Sequence, residues 1–425
     1  MSLTTSVTLV FILGYLAIAF EHFIRVNKAA SALIAGTVTW TLIALFSPHD
    51  ASTAHSLSHR LAEQMGEISQ ILFFLLGAMV IVELIDAHSG FDVISSQLRI
   101  KSKRLLLITV CVITFFLSAI LDNLTTTIVM ITMVRKILDN REDRLFFAGM
   151  IVVAANAGGA WSPLGDVTTT MLWIGGQISA AGIIRAIFVP SAICMIVPLI
   201  VVSMRLKGGL AVTPTLSEED LITTPREKML VLCAGISILL FVPLYKVTTG
   251  LPPFMGMLCG LGLLWLVVEC LHHEKDEAER GVLSVNHALR KIDAPSILFF
   301  LGILLTVAAL DVVGVLQGLA GWIEVTISDI RIVGYLIGLL SALIDNVPLV
   351  AAAQSMYPLT QYSTDHFFWE YLAYCAGNGG SGLIIGSAAG VAAMGLERID
   401  FFWYLKRISG LAILGYTAGA LYFVL

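Results

Sequence analysis

Asn156-Ala-Gly-Gly-Ala-Trp-Ser-Pro-Leu-Gly-Asp166-Val-Thr-Thr-Thr170 sits in the middle of an otherwise apolar run, 147–178. Three glycines and a proline cannot be carried through a membrane helix without breaking it. The break is predicted to free backbone carbonyls. Asn156, Ser162, Asp166 and Thr168 add side-chain oxygens beside them. Unwound backbone with a carboxylate at membrane depth is chemistry for a hard monovalent cation. Moving Asp166 to either surface would leave spans too short to cross.

The rest of the chain agrees with that depth. Of 425 residues, 57% are apolar and only 13% charged, with mean hydropathy +0.90. Soluble domains carry about 25% charged residues. A soluble enzyme and a disordered scaffold are therefore excluded, and the net charge of −5 offers no basic face to nucleic acid. Candidate spans fall at 7–25, 29–47, 67–86, 147–178, 184–204, 228–246, 252–271, 294–312, 367–395 and 400–424. The fold class is an all-α polytopic membrane protein. The segment Ser47–Glu67 reads as a loop with an interfacial helix. The first apolar run reads as a span and not as a signal peptide. No transit peptide is evident, which favours a bacterial inner membrane. The six scattered cysteines form no CxxC pair and read as small hydrophobes.

Two further apolar stretches, 105–134 and 332–360, each carry an Asp-Asn pair near the middle. Arg99, Lys101, Lys103 and Arg104 precede the first; Arg135, Lys136, Arg141 and Arg144 follow it. Both ends are thus placed in the cytoplasm by the positive-inside rule, which makes 105–134 a re-entrant hairpin. The resulting topology leaves only Arg60, Arg185, Lys246 and Arg331 outside, of 25 Lys and Arg. It requires 332–360 to be a hairpin entering from the other side, and both termini to lie outside the cytoplasm. Asp122, Asn123, Thr125 and Thr126 are candidate ion ligands at the first hairpin, Asp122 also serving as a helix cap.

The two halves resemble each other. Ile71-Leu-Phe-Phe-Leu-Leu-Gly77 recurs as Ile297-Leu-Phe-Phe-Leu-Gly302. Ser118-Ala-Ile-Leu-Asp-Asn123 recurs as Ser341-Ala-Leu-Ile-Asp-Asn346, and Ala155-Asn-Ala-Gly-Gly159 has a counterpart in Gly377-Asn-Gly-Gly-Ser381. The chain divides into a first repeat, 1–205, a cytoplasmic linker, 206–227, and a second repeat, 228–425. With opposite orientations, these are the inverted repeats of a secondary transporter. The second broken helix is 367–395. Asp345, Asn346, Asn378, Ser381 and Ser387 join the candidate ligands, Ser387 standing where the first half has Asp166.

Glu83, Asp86 and Asp311 lie near span ends, and Glu83 is the candidate proton relay. His49, His55, His59, His272 and His273 read as surface residues, with a pH-sensing role open at the 49–59 segment. Trp161, Trp173, Trp322 and Trp403 read as interfacial anchors or neighbours of the break. No GxxxxGK[ST] motif supports ATP drive, and no cofactor is called for. A Ser/His intramembrane protease would need a His inside a span near a Gly-rich Ser, and that combination is not found.

Over nearly its whole length the chain resembles the NhaD-type sodium/proton antiporters of the ion transporter superfamily. The likeness rests on the paired segments 118–123 and 341–346 and on Asn156 with Ser162-Pro-Leu-Gly-Asp-Val-Thr-Thr-Thr170. It implies a non-enzymatic carrier exchanging cytoplasmic Na⁺, and Li⁺, for external H⁺, in the service of pH and salt homeostasis. Asp122, Asp166, Asn156 and Thr126 would hold Na⁺, and the carboxylates would bind Na⁺ or H⁺ but not both. It also implies a scaffold domain, often dimeric, and a moving transport domain. Two other readings stay open: a sodium-coupled dicarboxylate or citrate carrier of the same superfamily, and a passive cation channel. Dicarboxylate carriers have Ser-Asn-Thr at the hairpin tips where this chain has Asp-Asn. The depth charges here are acidic, and the Lys and Arg fall in loops or at span ends.

Overall fold

A computed structural model describes all residues except 1, 20, 47–50, 92–99, 101, 207–222, 274, 328 and 344. Side chains of 19, 22, 23, 51–56, 278 and 324 are likewise outside it. Arg99, Lys101, Lys207, His49 and the acidic stretch Ser217–Asp220 of the linker lie outside the described residues, as does the His55 side chain.

The described residues form helices and no strand. We label the main ones α1 (Leu3–Ala19), α2 (Lys28–Phe46), α3 (Ala51–Ala87), α4 (Lys103–Leu121), α5 (Asn123–Ile137), α6 (Arg141–Ala160), α7 (Val167–Ile174) and α8 (Ala180–Arg205). The second half supplies α9 (Pro225–Thr249), α10 (Pro253–Leu271), α11 (Ala294–Val312), α12 (Val315–Thr326), α13 (Ile330–Ser341), α14 (Asn346–Met356), α15 (Phe367–Gly379), α16 (Ala388–Glu397) and α17 (Phe401–Val424). Among the described residues, eight helices are long and apolar enough to cross a membrane. Leu263, Leu266 and Val247 stand on exposed outer faces, as lipid-facing side chains do.

The starts of these helices are written in the sequence. Asn140 caps α6 by accepting from the amides of Glu142 and Asp143 (2.8 and 3.3 Å). Thr224 and Glu227 form a reciprocal capping box at α9, with Pro225 at its first position. Segment 47–67 departs from expectation: α3 is one helix of 37 residues that runs through Ala51–Glu67 without a loop. Its first turns are polar but rich in good helix formers, so polarity marks where the helix leaves the apolar zone and not where it ends.

The helices sort into two bundles. In one, α2 packs on α1 and α11, α3 on α11 and α10, and α9 on α10. In the other, α4–α8 pack with α13–α17. Each bundle draws on both halves of the chain. Gly36 of α2 lies against the Gly302 carbonyl of α11, where neither helix has room for a Cβ. In the second bundle, Tyr374 donates to the Tyr416 carbonyl and Tyr416 to the Tyr335 carbonyl (2.7 and 2.9 Å), tying α15, α17 and α13. Buried Glu397 of α16 sits between Arg135 (3.3 Å) and Arg144 (3.2 Å).

Trp173, read as an interfacial anchor or neighbour of the break, and His272, read as a surface residue, are both buried. Trp173 lies under Lys246, whose ammonium donates to the Trp173 carbonyl (2.6 Å) and stands 4.6 Å from the ring centre. His272, just past α10, meets His88, just past α3, at 2.8 Å between Nε2 atoms. The bonding fixes their tautomers. His88 Nδ1 faces the Leu84 carbonyl and must donate, so its Nε2 accepts the proton of His272 Nε2. A further proton has no acceptor here, since His272 Nδ1 is buried without a partner. Burial, then the neighbouring His88 and Lys275, push His272 down to about 4. The unfolded chain binds that proton near pH 6.5, so stability is whole above that value and falls as pH drops toward 4. The melting temperature of the purified protein should therefore fall between pH 7.5 and 5, and less steeply in His272→Gln. Parallel curves for the two proteins would refute a role for this pair.

Candidate ion-binding site

Four helices of the second bundle start at the centre of the protein, and each is capped there by its own side chain. Asp122, between α4 and α5, accepts from the Thr125 amide and hydroxyl (2.8 and 2.9 Å). Asp166 caps α7 through the Thr168 amide and hydroxyl (2.8 and 2.6 Å). Asp345 caps α14 through the Val347 amide (3.2 Å), and Ser387 caps α16 through Gly390 (3.2 Å). Ser387 thus does for α16 what Asp166 does for α7.

Asp122 has φ of +94° and ψ of 158°, a conformation that only glycine adopts easily. Holding a side-chain residue there costs about 1–3 kcal/mol. The fold retains it because the helix break and the cap need that carboxylate at the turn.

Asp166 is the hub. Its Oδ2 accepts from Asn123 Nδ2 (2.6 Å) and its Oδ1 from Asn346 Nδ2 (3.3 Å), so one carboxylate joins both Asp-Asn segments. Asn123 also donates to Asn156 Oδ1 (3.1 Å). Asn156 in turn donates to the hydroxyls of Ser381 and Ser387 (2.9 Å each). All these groups are buried. A buried network of this kind is worth keeping only if its members are satisfied, and it fixes the relative position of α5, α6, α7, α14 and α16.

The same contacts recur in the two halves. Ser118 donates to the Ala155 carbonyl (2.6 Å), and Ser341 to the Ala376 carbonyl (2.9 Å). Gly158 lies on the Phe115 carbonyl, and Gly379 on the Gly338 carbonyl.

The break between α6 and α7 differs from expectation in one respect. Two freed carbonyls are already taken: Thr169 donates to that of Ser162 (2.7 Å) and Thr170 to that of Pro163 (2.8 Å). Thr169 and Thr170 therefore stitch the break closed, and side chains are left as the main oxygen donors. The Ser162 hydroxyl accepts from the Leu164 amide (3.2 Å) and turns the chain. Asn378 donates to the Tyr374 carbonyl (3.0 Å) and Ser191 (3.4 Å), away from the hub. Thr126 is buried, with its hydroxyl lacking a partner, while Thr125 reaches Asp122.

A cavity of about 80 Å³ adjoins the hub. Asp122, Asn123, Thr125, Asp166, Asp345 and Asn346 line it, and so does Lys28. Sequence reading put Lys28 at a span end. It begins α2, yet its ammonium reaches Asp345 Oδ2 at 3.4 Å. Beyond Thr125 and Leu124 lies a larger vestibule of about 310 Å³, lined among others by Glu83, Asp86, Lys136, Lys291 and Asp293. Glu83 pairs there with Lys291 (3.4 Å).

Residues 6–377 match the family model described as a citrate transporter. The chain is 46% identical to "Sodium/proton antiporter 1" of Arabidopsis thaliana, over 97% of this chain and 71% of that protein. It is 43% identical to "Sodium/proton antiporter 2" of the same plant, over 97% of each. It is 30% identical to "Na(+)/H(+) antiporter NhaD" of Alkalimonas amylolytica, over 96% of this chain and 88% of that one.

Proposed function

Because the chain belongs to the citrate transporter family, among its NhaD-type sodium/proton antiporters, we propose that it exchanges Na⁺, and Li⁺, for H⁺ at Asp122 and Asp166. The observation that carries this is the Asp166 hub, a buried carboxylate held by amides from both Asp-Asn segments beside a cavity that also holds Asp122. A cation arriving from the vestibule displaces protons from the two carboxylates, and protons arriving from the other side displace the cation. Competition for one site couples the flows. The Thr125 hydroxyl, and Asn123, Asn156 and Asn346 once their amides turn, supply neutral oxygens to the dehydrated ion. The vestibule carries Lys136 and Lys291, which the charge rule assigns to the cytoplasm, so sodium enters from that side. The halves act as inverted repeats, with the second bundle moving against the first.

The charge of the cavity separates this reading from anion carriage. Helix N-termini attract anions. Here three of the four starts bring their own carboxylate, Asp122, Asp166 and Asp345, against one ammonium, Lys28. A dicarboxylate would meet net negative charge, whereas a monovalent cation offsets part of it.

The test uses everted vesicles from a bacterium lacking its own antiporters. An acid-inside gradient is formed, NaCl, LiCl or KCl is added, and a pH-sensitive dye is followed. Alkalinisation on Na⁺ and Li⁺ is the expected result. No response to any cation between about pH 6 and 9.5 would end the exchange reading.

A further inference from the structure

Lys28 is a cation built into the cavity from the opposite bundle. It opens α2 in the first bundle, and its partner Asp345 opens α14 in the second. The ammonium also stands 4.3 Å from the centre of the Phe299 ring, on α11. Both charged groups are only partly exposed. A lysine at membrane depth is costly unless it is paired, so its position marks function. The three cavity carboxylates are not equivalent. Asp122 has Thr125 on both oxygens, and Asp166 has only neutral donors. Asp345 alone has a cationic partner among the described residues: one oxygen caps α14, the other faces Lys28.

Building on the exchange reading, we propose that Lys28 is a tethered counter-cation that determines how tightly, and how many, sodium ions bind. It occupies at Asp345 the place a second monovalent cation would take. One seat is left, between Asp122 and Asp166. Its positive charge in the same cavity also weakens that seat, keeping sodium releasable.

The test measures sodium affinity in two ways: KM in everted vesicles, and Kd by titrating the purified protein with NaCl at constant ionic strength held with choline chloride. Lys28→Gln should lower both at least about threefold, the modest end of what one charge within ~10 Å does at a partly hydrated site. Lys28→Arg keeps the charge and should hold both at the wild-type value. The double variant Lys28→Gln/Asp345→Asn removes the pair together and should return both toward wild type. Unchanged KM and Kd in Lys28→Gln, an equal shift in Lys28→Arg, or a double variant no different from Lys28→Gln would each overturn the proposal. If Lys28→Gln does not accumulate, Asp345→Asn alone leaves the ammonium unopposed and should weaken sodium binding at least about threefold by the same arithmetic; wild-type Kd there overturns it. Absence of sodium response in the wild-type protein would remove the exchange reading itself, whereas a responsive wild type with an unmoved Lys28→Gln removes only the role of Lys28.

Discussion

Asp166→Asn should abolish sodium-driven proton movement while leaving the carrier folded. Asparagine is as good a helix cap as aspartate, and its oxygen can still accept from the Thr168 amide, so α7 keeps its start. What disappears is the charge. A carboxylate about 4 Å from a monovalent cation, at an effective dielectric near 20, contributes about 4 kcal/mol. Part of that is recovered by other oxygens, so a loss of at least about 100-fold in sodium affinity is expected, equivalent to about 2.7 kcal/mol. The proton partner is lost with it, because an amide does not titrate. One local cost remains: if the new amide N–H₂ meets Asn123 Nδ2, the Asn123 side chain must turn, at about 1 kcal/mol. Asp166→Ala would lose charge and cap together and add about 1 kcal/mol of destabilisation. The comparison therefore separates chemistry from folding. The measurement is the dye response across NaCl concentrations, with melting temperature and elution volume as fold checks. Wild-type KM in a well-folded Asp166→Asn protein would exclude Asp166 from the site.

The centre of this protein was legible in its sequence because the relevant signals are local. Gly158, Gly159, Pro163 and Gly165 can only be a break, and Asp or Ser just before a helix can only be a cap or a ligand. Asp122 and Asp166 are found as caps, and both line the cavity. The order of the two halves was legible too, because Ser118 and Ser341 precede their Asp-Asn pairs by the same distance and donate to equivalent carbonyls.

What stayed hidden depends on contacts between remote residues. Lys28 and Asp345 are 317 positions apart, and a lysine at the start of an apolar run looks like any topological signal. His88 and His272 are 184 apart, and each alone resembles a loop histidine. Thr169 and Thr170 were visible, but whether their hydroxyls would bind an ion or close the break depended on where the Ser162 and Pro163 carbonyls pointed. That the 51–67 helix runs on into the following span was hidden for another reason: hydropathy reports the thickness of the apolar zone, and a helix can extend beyond it.

Gly158→Ala and Gly379→Ala should each cripple the carrier, through position and not chemistry. A Cβ on Gly158 would collide with the Phe115 carbonyl of α4, and one on Gly379 with the Gly338 carbonyl of α13. Both obstacles are backbone, so no side-chain rotation relieves them. The helices must separate, and inserting a methyl group in so tight a contact costs about 1–3 kcal/mol or more. At Gly158 the separation also stretches the Ser118–Ala155 bond and displaces α6, on which Asn156 sits. A misplacement of about 1 Å at a site can cost 100-fold in rate. The melting temperature should fall by about 2 °C, as expected for about 2 kcal/mol in a chain of 425 residues. Exchange should fall further than stability does. Gly66→Ala is the control: its Cβ meets nothing within 4 Å, and alanine favours the exposed helix by up to about 1 kcal/mol. The pair of variants also asks something of the repeat. Asp166 lies on one side and Ser387 on the other, so the ligands are asymmetric, but the two glycine seams are alike. Equal damage from Gly158→Ala and Gly379→Ala would mean that both glycine seams hold the proposed ion seat. Damage from Gly158→Ala alone would mean that the first half holds the seat and the second supplies only its surroundings.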